Sequence, residues 1–72
     1  MDLVALMGLN VRKHRKRLSL SQEELAFRAG MKRSYVSELE SGGRNPTVRA
    51  LGRLAEALNV DPADLLRGAS ET

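Results

Sequence analysis

The side chains that could act on a substrate are His14, the adjacent carboxylates Glu23 and Glu24, and the serines. Acid–base or nucleophilic chemistry needs such groups assembled into a constellation, and their spacing argues against one. His14 lies three residues after Val11 and four before Leu18, on the side of a helix facing the core, so a partly buried structural histidine is the better reading. Glu23 and Glu24 fall in the first turn of a helix, where carboxylates complement the helix dipole. Gly42-Gly43 follows a helix instead of opening one, unlike a phosphate-cradling loop. With no cysteine and a single histidine, thiolate and multi-histidine metal sites are excluded, and no enzymatic activity, metal or cofactor is expected.

What remains is charge and hydrogen bonding. The run Arg12-Lys13-His14-Arg15-Lys16-Arg17 invites a nucleic-acid reading, but six consecutive helical residues point in every direction. Arg15, four residues after Val11, shares its inward face and needs a buried acceptor. Glu40, at the inward end of a later helix, is the expected partner in a structural ion pair. The rest of the run reads as a solvated face. Between Arg33 and Glu40, Val36 and Leu39 are spaced for burial, which leaves Arg33, Ser34, Ser37, Glu38 and then Ser41 free.

Five helices are expected to position these groups, over approximately 2–18, 21–28, 33–41, 47–58 and 62–67. Leu3, Val4, Met7, Val11 and Leu18 recur at helical spacing in the first, which Ser19 and Leu20 end. Ser21 and Glu24 form a capping box for the second, and Gly30 reverses the chain after it. Ala26 is small where Val36 must arrive, as two helices crossing after a tight turn require. Thr47 caps the fourth helix, whose apolar face is Val48, Leu51, Leu54, Ala55 and Leu58. Asp61-Pro62 starts the fifth, which carries Leu65 and Leu66 and stops at Gly68, and residues 69–72 are expected to fray. No strand signal or internal repeat interrupts this pattern, so the fold class is all-α, a single domain over residues 1–72.

At 72 residues the core is small and helix packing must be efficient. Net charge is +3, mostly from arginine, and the partner should be anionic. The absence of cysteine suits a reducing cytoplasm. The apolar start MDLVALMGL lacks the basic flank and length of a signal sequence, and no stretch approaches the roughly 18 apolar residues of a membrane span. A soluble, unprocessed, cytoplasmic chain with no membrane partner is expected.

From about Val11 to Leu66 the chain resembles the phage-repressor-like (Cro/C1, or xenobiotic-response-element) helix-turn-helix family. The resemblance is carried by Leu20-Ser21-Gln22-Glu23-Glu24-Leu25-Ala26, Ala29-Gly30, Tyr35-Val36-Ser37, Leu39-Glu40, Gly42, Arg44-Asn45-Pro46 and Leu54-Ala55-Glu56-Ala57-Leu58, in register over more than forty positions. It implies a five-helix lambda-repressor-like domain that binds double-stranded operator DNA as a symmetric homodimer and regulates transcription. It also implies that Arg33, Ser34, Ser37 and Glu38 read bases. Gln22, Ser41, Arg44 and Asn45 then fall where phosphates are held, and the Arg15–Glu40 pair recurs. Arg33 can donate twice to guanine O6 and N7 or meet a phosphate. Glu38 can accept from cytosine N4, face solvent or pair with Arg33. Tyr35 contacts the DNA backbone or packs over the loop.

Three departures accompany the resemblance. Lys32 stands where Ser or Thr often caps the recognition helix and is free to reach a phosphate; Ser19 stands where glycine commonly ends the first helix; His14 replaces a frequent aliphatic residue and introduces a pH-sensitive group. Leu65 and Leu66 either pair across a two-fold axis or cap the protomer's own core. No small-molecule ligand is expected. The Arg33-Ser34-Tyr35-Val36-Ser37 stretch with Arg44-Asn45 is similar to the controller proteins of restriction-modification systems, and phage-type and antitoxin repressors share these features. The rival function is a protein-interaction adaptor or antitoxin module on the same scaffold.

Overall fold

The computed structural model describes residues 2–68, so the fraying expected of residues 69–72 lies outside the described residues. Four α-helices, α1 (Leu3–Arg17), α2 (Gln22–Ala29), α3 (Arg33–Glu40) and α4 (Val48–Leu58), precede a 3-10 helix at Pro62–Leu66. No strand occurs among the described residues. The chain is therefore all-helical, but the expected fifth α-helix over 62–67 is corrected to a five-residue 3-10 helix. Its Asp61 and Asp64 form a reciprocal capping box, and the Asp64 N–H bonds to the Asp61 carbonyl three residues back, at 2.8 Å. The chain does not wind on, because Asn10 of α1 captures carbonyls at and just past its end: its Nδ2 donates to Leu65 O and Arg67 O, both at 2.9 Å.

The other boundaries shift by a cap residue or two. Asp2, Ser21 and Thr47 are N-caps whose side chains accept backbone N–H groups. Ser21 and Glu24 bond reciprocally at 3.0 and 2.8 Å, and these bonds hold the Glu24 carboxyl below its usual range. At the end of α2, Gly30 has φ +69°, which costs glycine little, and the Met31 N–H closes back on Ala26 O at 2.9 Å. Ser19 holds φ +58° after α1 without that freedom.

Met7, Val11, Leu25, Ala26, Ala29, Val36, Leu39, Leu54, Ala55, Leu58 and Leu65 form one core. α3 packs on α1 and α2, while α4 packs on α2, on the 3-10 helix and more lightly on α1. Three residues expected on buried faces, Leu3, Leu18 and Val48, are exposed. At the end of α1 the Ser19 turn reverses the chain and its neighbour Leu20 is buried in place of Leu18. Leu3 and Val48 instead line a shallow apolar groove of about 160 Å³ with Val4, Met7, Leu51 and Leu66.

His14 sits half-buried at the α1 surface. Burial, then Arg17 and Lys13, push its pKa below the ordinary 6.5, against an opposing pull from Asp64. The unfolded chain therefore holds more proton than the folded one between the folded pKa and 6.5, and stability falls as pH drops through that window. Urea titrations from neutral pH to about pH 5 should give a declining midpoint that His14→Gln renders flat. A wild-type midpoint that stays constant over this range contradicts the expectation.

Candidate nucleic-acid interface

The packing of α3 on α1 and α2 buries Val36 and Leu39 and leaves Arg33, Ser34, Ser37 and Glu38 exposed along one outer face. Ala26, buried against this crossing, has the small side chain it requires. Lys32 is the N-cap of α3 and, carrying donors only, makes no side-chain capping bond; its cation is exposed beside this face.

The orientation of α3 is fixed by a buried polar knot. Arg15 Nε donates to Glu40 Oε2 at 2.7 Å and Arg15 Nη2 to Oε1 at 2.9 Å, with side chains only 11% and 4% exposed. Arg15 Nη1 takes the Leu20 carbonyl at 2.8 Å, and Gln22 Nε2 donates to Glu40 Oε1 at 3.2 Å. One carboxylate thus ties α3 to both α1 and α2. The hydrogen bond to Glu40 raises the Arg15 pKa further above its ordinary value, against the opposing effect of burial. Gln22, expected at a phosphate, is engaged with Glu40, though an amide retains a second donor and a carbonyl.

At the far end of α3 the loop folds back on Glu38. Its carbonyl accepts from Ser41 Oγ at 2.8 Å and from the Gly43 N–H at 2.9 Å, with Gly42 at φ +81° making the bend. The Glu38 carboxylate pairs with Arg44, not with Arg33. Arg44 in turn lies over the Tyr35 ring, its guanidinium carbon 4.5 Å from the ring centroid, so Tyr35 packs under the loop while half-buried against the core. Asn45 is exposed beside them.

Arg12, exposed within the basic run, adjoins this surface. It borders one cleft with Arg15, Gln22, Ser37, Glu40 and Ser41, next to a second cleft lined by Arg33, Ser21, Gln22 and Glu23. Gly8, Arg12 and Arg15 stand at i, i+4 and i+7, one stripe of α1. Leu65, one of the two leucines considered for a dimer interface, is 0% exposed and belongs to the protomer's core, whereas Leu66 is 41% exposed.

Residues 11–65 match the helix-turn-helix family HTH_3. The chain is 43% identical to the uncharacterized HTH-type transcriptional regulator y4dJ of Sinorhizobium fredii, over 100% of this chain and 94% of that protein. It is 40% identical to the control protein C.BamHI of Bacillus amyloliquefaciens, over 85% of this chain and 76% of that one. Its fold superposes on the crystal structure of the restriction-modification controller protein C.AhdI from Aeromonas hydrophila with a TM-score of 0.84 and 40% identity, covering 86% of this chain and 94% of that one.

Proposed function

The chain belongs to the Cro/C1-type helix-turn-helix family and is a DNA-binding transcriptional regulator, and on that premise we propose that it works as a homodimer on a roughly palindromic operator. The observation that carries the reading is the exposed outer face of α3, Arg33, Ser34, Ser37 and Glu38, flanked by the cations of Arg12 and Lys32. That face suits the major groove, with Arg33 bidentate to a guanine. Gln22, Lys32, Ser41 and Asn45 border it as phosphate contacts, together with Arg12, and Tyr35 supports the loop that carries Arg44. The regulator acts where the chromosome lies, in the cytoplasm; no described helix is long and apolar enough to cross a membrane.

Pairing is supported by the apolar groove of Leu3, Val48 and Leu66, which lies on the α1–α4 side while α3 has its helix neighbours in α1 and α2. The protomer measures 30 × 22 × 19 Å, a size compatible with two α3 helices entering successive major grooves about 34 Å apart. A restriction-modification controller, tuning its own operon through protein concentration, is the role that the likeness to C.BamHI and C.AhdI favours.

Selection from a randomised duplex library is expected to enrich a roughly symmetric motif, with sedimentation showing two chains per duplex. Affinity should fall steeply with salt, with a log–log slope of about 0.9 per phosphate held. Arg33→Ala should erase the preference for guanine at one position of each half-site, a discrimination of about 1 to 3 kcal/mol. A library that yields no enriched motif removes the regulator's sequence preference and leaves the adaptor reading in its place.

A further inference from the structure

Glu38 places a carboxylate on the face of α3 assigned to DNA, where a bare anion is repelled by phosphates. Here that charge is not bare. Arg44 Nε and Nη2 both donate to Glu38 Oε1, at 2.9 and 2.6 Å, and the guanidinium lies over the Tyr35 ring, 4.5 Å from its centroid. The loop is shaped to hold Arg44 in place, since Ser41 Oγ and the Gly43 N–H both fasten onto the Glu38 carbonyl, with Gly42 bent at φ +81° between them. Both partners remain about half exposed, at 44% and 52% of their side chains, so the cluster lies open to a ligand. Because the two bonds converge on Oε1, the acceptor capacity of Oε2 is left for something else.

We propose that Arg44 is a specificity-determining residue that acts through Glu38: it neutralises and aims the carboxylate so that Oε2 accepts a hydrogen bond from cytosine N4 in the major groove. The assignment rests on the DNA-reading function proposed above. A planar fork is needed for the task. Lysine can supply the charge but cannot reach Oε1 with two fixed donors or lie flat on the Tyr35 ring. Arg44 is therefore a positioning residue whose replacement alters which base is preferred, beyond any loss of phosphate attraction.

The test uses the duplex selected by the wild-type chain and a set of duplexes altered singly at each position, measured by competition binding. The wild type should prefer cytosine at one position of each half-site by about 5- to 150-fold. Arg44→Ala should reduce that preference to within about 2-fold and weaken binding to every duplex, because the Glu38 carboxylate then faces the phosphates unpaired. Adding Glu38→Gln to Arg44→Ala should restore much of the general affinity without the cytosine preference. Arg44→Lys should bind more tightly than Arg44→Ala and still lack the preference, and circular dichroism confirms that each variant is folded. If Arg44→Ala weakens all duplexes equally with the cytosine preference intact, or if Glu38→Gln restores nothing, Arg44 is a phosphate contact only and the proposal is overturned. A wild-type chain that selects no motif overturns both this assignment and the DNA-reading function, so the two failures are distinguishable.

Discussion

Glu40→Ala should lower the free energy of unfolding by about 3 to 5 kcal/mol, as removing one partner of a buried ion pair does. The variant leaves the Arg15 guanidinium, nine-tenths buried, with only the Leu20 carbonyl at 2.8 Å for company. A chain of this length has roughly 4 to 11 kcal/mol to lose, so this one change consumes much of the total. At about 4 to 8 °C per kcal/mol, the thermal midpoint should drop by more than 10 °C. Glu40→Gln should fall between, because an amide oxygen still accepts from Arg15 while the compensating charge is gone. The paired replacement Arg15→Met with Glu40→Leu should cost far less than the sum of the single changes, since desolvating two charges is itself expensive. Urea titrations of the four chains measure the coupling directly. A Glu40→Ala loss below about 1 kcal/mol, or a double variant as damaged as the sum of the singles, would show that the pair is solvated and does not anchor α3.

This pair is legible in the sequence, and the reason is physical. A helical arginine on the same face as Val11 has nowhere to go without an acceptor, and Glu40 stood at the right end of the right helix. The Ser21 capping box and the Gly30 reversal were legible for a related reason: rules spanning three or four residues govern them. The features that escaped depend on neighbours remote in sequence. Asn10 fixes the end of the 3-10 helix from 55 and 57 residues away, so the Asp61-Pro62 start signal was readable and the type of helix was not. Val48 satisfies the apolar period of α4 yet is 86% exposed, because periodicity specifies a face and not whether another element covers it. Glu38 found Arg44 in place of Arg33 because Ser41, Gly42 and Gly43 turn the loop back along the helix.

Gly8 is the position where a remote neighbour should have the most visible effect, and there two rules oppose each other. In an isolated helix Gly8→Ala gains about 1 kcal/mol from propensity alone. In this fold a Cβ on Gly8 meets the Leu39 carbonyl oxygen well inside contact distance and lies 3.2 Å from the carbonyl oxygen of Glu40. Both obstacles are backbone of the last turn of α3, which cannot rotate aside as a side chain does, so α1 and α3 must separate. Separation strains the Arg15–Glu40 pair, whose arginine lies two helical turns further along α1. The expected result is a net loss of about 1 to 3 kcal/mol, opposite in sign to the propensity effect. Because α3 carries the face proposed to read DNA, the folded fraction of Gly8→Ala should also bind the selected duplex more weakly at low temperature, where unfolding does not contribute. The comparison with Gly52→Ala supplies the contrast: Gly52 lies within α4 and an added Cβ there has nothing within 4 Å, so propensity alone should stabilise that variant by roughly 0.5 to 1 kcal/mol. If both alanines stabilise alike, α1 and α3 do not approach as closely at Gly8 as this packing requires.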